Sequence, residues 1–138
     1  MLRVIVSVAF AAMVIGGVGY AAAGTGNDQG SGDQAWAQVN PNGGSPVLVR
    51  AKGIVSVSSP QPGVYCLRAA SGIDLAQTAP VASQEANLST TLGLVTPRRV
   101  GAPNSSCPTN QLQIDTWDAG NASSPTLVNT VGFDVVVP

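Results

Sequence analysis

The chain has 138 residues, enough for one domain, and it contains no His, which removes the commonest general base, every His metal ligand and every His-based triad. Six Lys+Arg against seven Asp+Glu give a net charge of −1 with only 9% of residues charged, so the basic face of a nucleic-acid binder is missing. The 16 Gly and 10 Pro are scattered so that few stretches escape both, which excludes long helices, because an interior Pro costs about 3 kcal/mol.

In chain order, Arg3, the apolar run 4–18 and Ala21-Ala22-Ala23 read as a secretory signal cleaved after Ala23. A stable membrane span needs about 20 apolar residues, and Gly16, Gly17 and Gly19 sit where this run is ending. No Cys follows the run and no Arg-Arg pair precedes it, so neither a lipid anchor nor a twin-Arg signal is indicated. Cleavage leaves a mature, secreted chain of 115 residues with no membrane span, carrying five cations and seven anions. Residues 24–34, GTGNDQGSGDQ, contain nothing apolar to offset the entropy of ordering and read as a flexible lead. The single folded domain is expected over 35–138.

Strand signals dominate that domain. Residues 35–39 form the first, stopped by Asn40-Pro41-Asn42-Gly43-Gly44. Residues 46–51 form the second. The third covers 53–58 and is stopped by Ser59-Pro60-Gln61-Pro62-Gly63, and the fourth covers 64–69. The only helical candidates, 73–78 and 83–88, are short. Residues 90–96 alternate, with Leu92 and Leu94 on one face. Residues 111–117 alternate more clearly, with Leu112, Ile114 and Thr116 on one side and Gln113, Asp115 and Trp117 on the other. Asp118-Ala119-Gly120-Asn121 is a turn, and Val131, Phe133, Val135 and Val137 form the inward face of the last strand. The fold expected is all-β, an antiparallel sandwich or barrel of seven to eight short strands.

Several of these segments, in this order, have a familiar pattern. Trp36-Ala37-Gln38-Val39-Asn40-Pro41-Asn42-Gly43 resembles the opening W-A-x-V-N-x-x-G of small exported β-domains common in actinobacteria. Gly53-Ile54-Val55-Ser56-Val57 resembles their second strand region, and Pro62-Gly63-Val64-Tyr65 their G-x-Y. Ile114-Asp115-Thr116-Trp117-Asp118-Ala119-Gly120 and Phe133-Asp134-Val135-Val136-Val137 resemble their closing T-x-D-x-x-G and F-x-V-x-V segments. The similarity covers most of 36–137. Cys66 departs from the pattern by following Tyr65 directly, and 81–108 matches poorly. The resemblance implies a β fold and export, and carries no activity with it.

Cys66 and Cys107 are the only thiols, and an even count in a secreted chain implies a disulfide. Two thiols without His make a poor zinc site, and no cofactor is implied. Of the mature carboxylates, Asp28 and Asp33 lie in the lead, Asp118 at a turn and Asp134 on an outward face. Asp74, Glu85 and Asp115 remain as plausible partners in acid/base work. Asp115, Asp118 and Asn121 offer three oxygen ligands from one hairpin, short of the six to eight that calcium takes. Arg98-Arg99 reads as a solvated loop pair. Trp117, on the polar side of its strand, is the candidate ligand contact, and Trp36 reads as structural. Lys52 is the sole lysine, and a Lys–Asn crosslink is weakly indicated. Asn87, Asn104 and Asn121 open N-x-S sequons. The expected function is a non-enzymatic structural or partner-binding domain with an unidentified extracellular or cell-wall partner. A carbohydrate-binding module using Trp117 and a small carboxylate hydrolase using Asp115 or Asp118 are the alternatives.

Overall fold

A computed structural model describes residues 34–120 and 123–138. The expected signal peptide and nearly all of the lead lie outside the described residues. Eight strands run β1 (Ala35–Asn40), β2 (Val47–Lys52), β3 (Ile54–Gln61), β4 (Val64–Ala69), β5 (Val81–Gln84), β6 (Gly93–Arg98), β7 (Leu112–Asp118) and β8 (Phe133–Val137). They form two antiparallel four-stranded sheets, β2-β1-β8-β5 (sheet A) and β3-β4-β7-β6 (sheet B). The all-β expectation therefore holds, as a sandwich.

Period-2 patterning places the core. On β1, Ala35, Ala37 and Val39 point inward, and on β8, Phe133, Val135 and Val137 meet them. Tyr65 and Leu67 of β4 and Leu112 and Ile114 of β7 close the core from sheet B. At its centre the rings of Tyr65 and Phe133 pack with centroids 5.2 Å apart and planes tilted by 56°. Burial pushes the Tyr65 phenol above its ordinary pKa, against a smaller lowering from the Thr116 hydroxyl. The phenol donates to Asn129 Oδ1 at 3.2 Å, and the same oxygen takes the Gly63 N–H at 2.6 Å. One amide thus ties the segment before β8 to the β3–β4 hairpin.

Two glycines turn the chain where a side chain has no room. Gly53 (φ +70°) carries it from sheet A to sheet B, and a Cβ there would meet Ile73, Gln34 and Ala35 at 2.6–3.0 Å. Gly63 (φ +72°) follows Pro62 in the hairpin, the order a type II turn demands.

Several boundaries differ from expectation. The third strand runs on through Pro60 to Gln61, because β3 lies at a sheet edge, where a missing N–H breaks no ladder bond. The helical candidates are single 3₁₀ turns, Leu75–Gln77 and Ala86–Leu88, and residues 81–84 form the unexpected strand β5. Leu92 and Leu94 do not face the core: they are 75% and 57% exposed. The inward positions of β6 are Gly93 and Val95. A Cβ on Gly93 would collide with Val131 and with the Trp117 carbonyl oxygen.

The free edge of β6 is blocked. Ala119 donates to the Leu92 carbonyl, so even-numbered residues turn their backbone groups toward β7 and odd-numbered ones turn outward. The Gln84 side chain occupies two outward groups, donating to Thr91 O at 2.9 Å and accepting from Gly93 N at 3.1 Å. Pro97 has no N–H to offer. Such devices oppose strand addition by another chain.

Candidate functional site

Part of the outer face of sheet B is covered. Residues 105–107 of the β6–β7 connection lie over Gln113 and Cys66, covalently held by the Cys66–Cys107 disulfide (Cα–Cα 5.4 Å), as expected from the two thiols. Val64, Cys66, Cys107 and Leu127 form a second, small apolar cluster beneath this covering. Gln113 Oε1 accepts from Ser105 Oγ and Ser106 N, both at 2.8 Å, and Gln113 Nε2 donates to Asp115 Oδ1 at 2.7 Å. Asp115 Oδ2 lies 2.5 Å from Arg98 Nε. Asp115 is 1% exposed, so it is a buried carboxyl with two fixed partners, Gln113 and Arg98. Arg98 is correspondingly the last residue of a strand, bound to a carboxylate, and not part of a solvated loop.

The pairing at Asp115 is asymmetric, because the Arg98 side chain keeps 40% of its surface in water and the Asp115 side chain 2%. Arg98→Ala strands the carboxylate and is expected to cost about 1–3 kcal/mol. Asp115→Asn keeps an acceptor for Gln113 and leaves Arg98 its water, so its cost is expected to be smaller. Urea unfolding of the two variants checks the order.

Other predicted residues have local duties. Asp118 Oδ1 accepts the Gly120 N–H at 2.8 Å, the turn role expected of it. Asp74 accepts from Ala76 N at 2.9 Å and Glu85 from Asn87 N at 3.0 Å, each capping a 3₁₀ turn. Asn87 and Asn104 are exposed, and Asn121 lies outside the described residues. Trp117 is half-buried, pairs across the strands with Leu94 and bridges to Leu127. Its indole N–H donates to Thr96 Oγ1 at 3.0 Å.

The outer face of sheet A is different. Its central strands pair Trp36 with Val136 and Gln38 with Asp134. Outward from these, Val136 pairs with Val81, Asp134 with Ser83, and Gln38 with Arg50. An apolar row, Trp36–Val136–Val81, therefore lies beside a polar row, Arg50–Gln38–Asp134–Ser83. Val81 is 66% exposed.

The structure brings Glu85 to Asp134 rather than to Asp74 or Asp115. Asp134 faces outward, and the contact arises because Glu85 extends the β5 side of the ladder, its N–H bonded to Gly132 O at 2.8 Å. Burial, then a hydrogen bond and repulsion from Glu85, raise the Asp134 pKa, while a hydrogen bond from Gln38 partly offsets this. A raised carboxyl pKa stabilises the fold below the ordinary Asp value, near 3.9, and this contribution disappears as pH climbs through the raised value. Stability is therefore expected to fall as pH rises from the ordinary Asp value through the raised one, and Asp134→Asn is expected to flatten the fall. Denaturation midpoints across the interval check the slope.

Among the described residues, no three or more His, Cys, Asp or Glu gather where they could hold a metal ion, and no helix is long and apolar enough to cross a membrane. No family model, curated protein or solved structure matches this chain.

Proposed function

We propose that this protein is an exported, non-enzymatic β-sandwich that serves the cell envelope or extracellular space as a partner-binding or structural domain. The observation that carries the reading is that four of the five described carboxylates are structurally occupied. Asp74, Glu85 and Asp118 cap turns, and Asp115 is held by Arg98 and Gln113. General acid/base chemistry needs a carboxyl free to exchange a proton with a substrate, and a chain without His has few other groups for that task. Export is supported by Arg3, the apolar run behind it and the disulfide.

Two measurements test this. Protein recovered from culture medium is expected to begin near Gly24, and full-length, detergent-dependent protein would make it an anchored one. Incubated with wall polysaccharide, it is expected to release no reducing sugar. Release abolished by Asp115→Ala, Glu85→Ala or Asp134→Ala would establish a hydrolase instead.

A further inference from the structure

The two central strands of sheet A set four unlike side chains at the corners of one tile: Trp36 and Val136 along one side, Gln38 and Asp134 along the other. Neighbouring strands lie about 4.8 Å apart and alternate residues about 6.7 Å apart, so the tile has the dimensions of a single sugar ring. We propose that this tile binds an uncharged polysaccharide, one ring stacking on Trp36 and Val136 while its hydroxyls bond to Gln38 and Asp134. The inference rests on the reading of the protein as a binding domain and gives that domain a ligand class.

Three features single out this occupant. A pyranose offers an apolar C–H face and a hydroxyl edge, and the sheet offers an apolar row and a polar row side by side. The rows continue through Val81 and Ser83 on β5, which gives a chain of sugars a path across the strands. The strand register sets the polar side: Gln38 faces Asp134 across β1 and β8, with Glu85 beside the Asp134 carboxyl. An amide and carboxyl fixed in place can exchange water for hydroxyl groups with little new ordering cost.

Charge excludes a charged polymer. Arg50 and Lys52 of β2 balance Asp134 and Glu85 on the same sheet, so the face has no single-sign field to steer a polyanion or polycation. A protein partner fits less well, because Asp134 would lie near the centre of its footprint, where interfaces are depleted of charge. The blocked edge of β6 also closes one route to recognition by strand addition.

Affinity electrophoresis tests the proposal, with the full exported protein run through gels containing a β-glucan, an α-mannan, an arabinogalactan or dextran, and heparin as the polyanion. At least one neutral polymer is expected to retard it. Trp36→Ala is expected to weaken retardation about tenfold, the scale of one aromatic stacking contact, and Gln38→Ala several-fold. Trp117→Phe is expected to leave it unchanged. Circular dichroism of each variant confirms the fold, and Gln38→Ala carries the test if Trp36→Ala does not fold. Retardation by no neutral polymer, by heparin alone, or equally in wild type and folded Trp36 and Gln38 variants overturns the proposal. A reducing-end assay on the same mixtures separates the two readings: sugar release overturns the non-enzymatic reading, whereas absence of retardation without release overturns only the choice of ligand.

Discussion

Replacing both Cys66 and Cys107 by Ala is expected to destabilise the protein by about 2–5 kcal/mol. The bridge closes a loop with a sequence separation of 41, for which the chain-entropy estimate is about 4 kcal/mol. A second effect adds to this. The disulfide is the covalent anchor of residues 99–111, and Ser105 and Ser106 of that segment supply hydrogen bonds to buried Gln113. Freed from its anchor, the segment admits water to Gln113 and Asp115, so amide exchange at Ser106 is expected to rise along with the loss of global stability. The β-sheet circular dichroism of the folded variant is expected to remain, because both cysteines lie outside the main core between the sheets. An unchanged urea midpoint would show that the bridge contributes nothing.

Phe133→Ala is expected to cost about 3–5 kcal/mol. The ring is fully buried, packs on Tyr65 and sits where β8 is flanked by both β1 and β5. Its loss leaves a cavity bounded by two sheets whose hydrogen-bonded strands cannot readily close inward. For a domain of this size each kcal/mol lowers Tm by about 4–8 °C. Phe133→Leu keeps much of the apolar volume and is expected to fall between wild type and Phe133→Ala. Thermal melts give the order directly.

The elements legible in the sequence were those whose faces differ most. Val131, Phe133, Val135 and Val137 alternate with Gly132, Asp134 and Val136, and their inward reading holds because one side of β8 is wholly buried. Residues 81–84, VASQ, carry no such contrast: a four-residue edge strand of mostly small and polar side chains needs only one neighbour, and its signal comes from β8. Around β6 hydrophobicity does not mark the inward face. Leu92 and Leu94 are large and exposed, while the inward position is a glycine forced by the closeness of Val131 and the β7 backbone. Hydrophobicity cannot report a position chosen for lack of space.

The polar sites were less legible because their meaning is non-local. Strand alternation turns Asp115 correctly away from the core, yet residues 105–107 cover part of that face, so its outward side is also an interior there. Arg98 is 17 residues away in sequence, and adjacency to Arg99 suggested a solvated pair. Glu85 and Asp134 meet only through the β5–β8 ladder, which required β5 to be recognised first. Trp36 and Trp117 both occupy outward strand positions. The indole bond to Thr96 distinguishes Trp117, and it does not follow from local pattern.

That contrast between the two tryptophans also gives the sharpest test. The chain contains two Trp, so an amide correlation spectrum of the ¹⁵N-labelled protein shows two indole N–H signals. In a titration with a neutral oligosaccharide cut from whichever polymer retards the protein, the Trp36 signal is expected to shift together with the amides of Gln38, Asp134 and Val136. The Trp117 signal, held by Thr96, is expected to stay in place. Movement of the Trp117 signal with Trp36 unaffected would contradict the account and move the working surface to the other sheet.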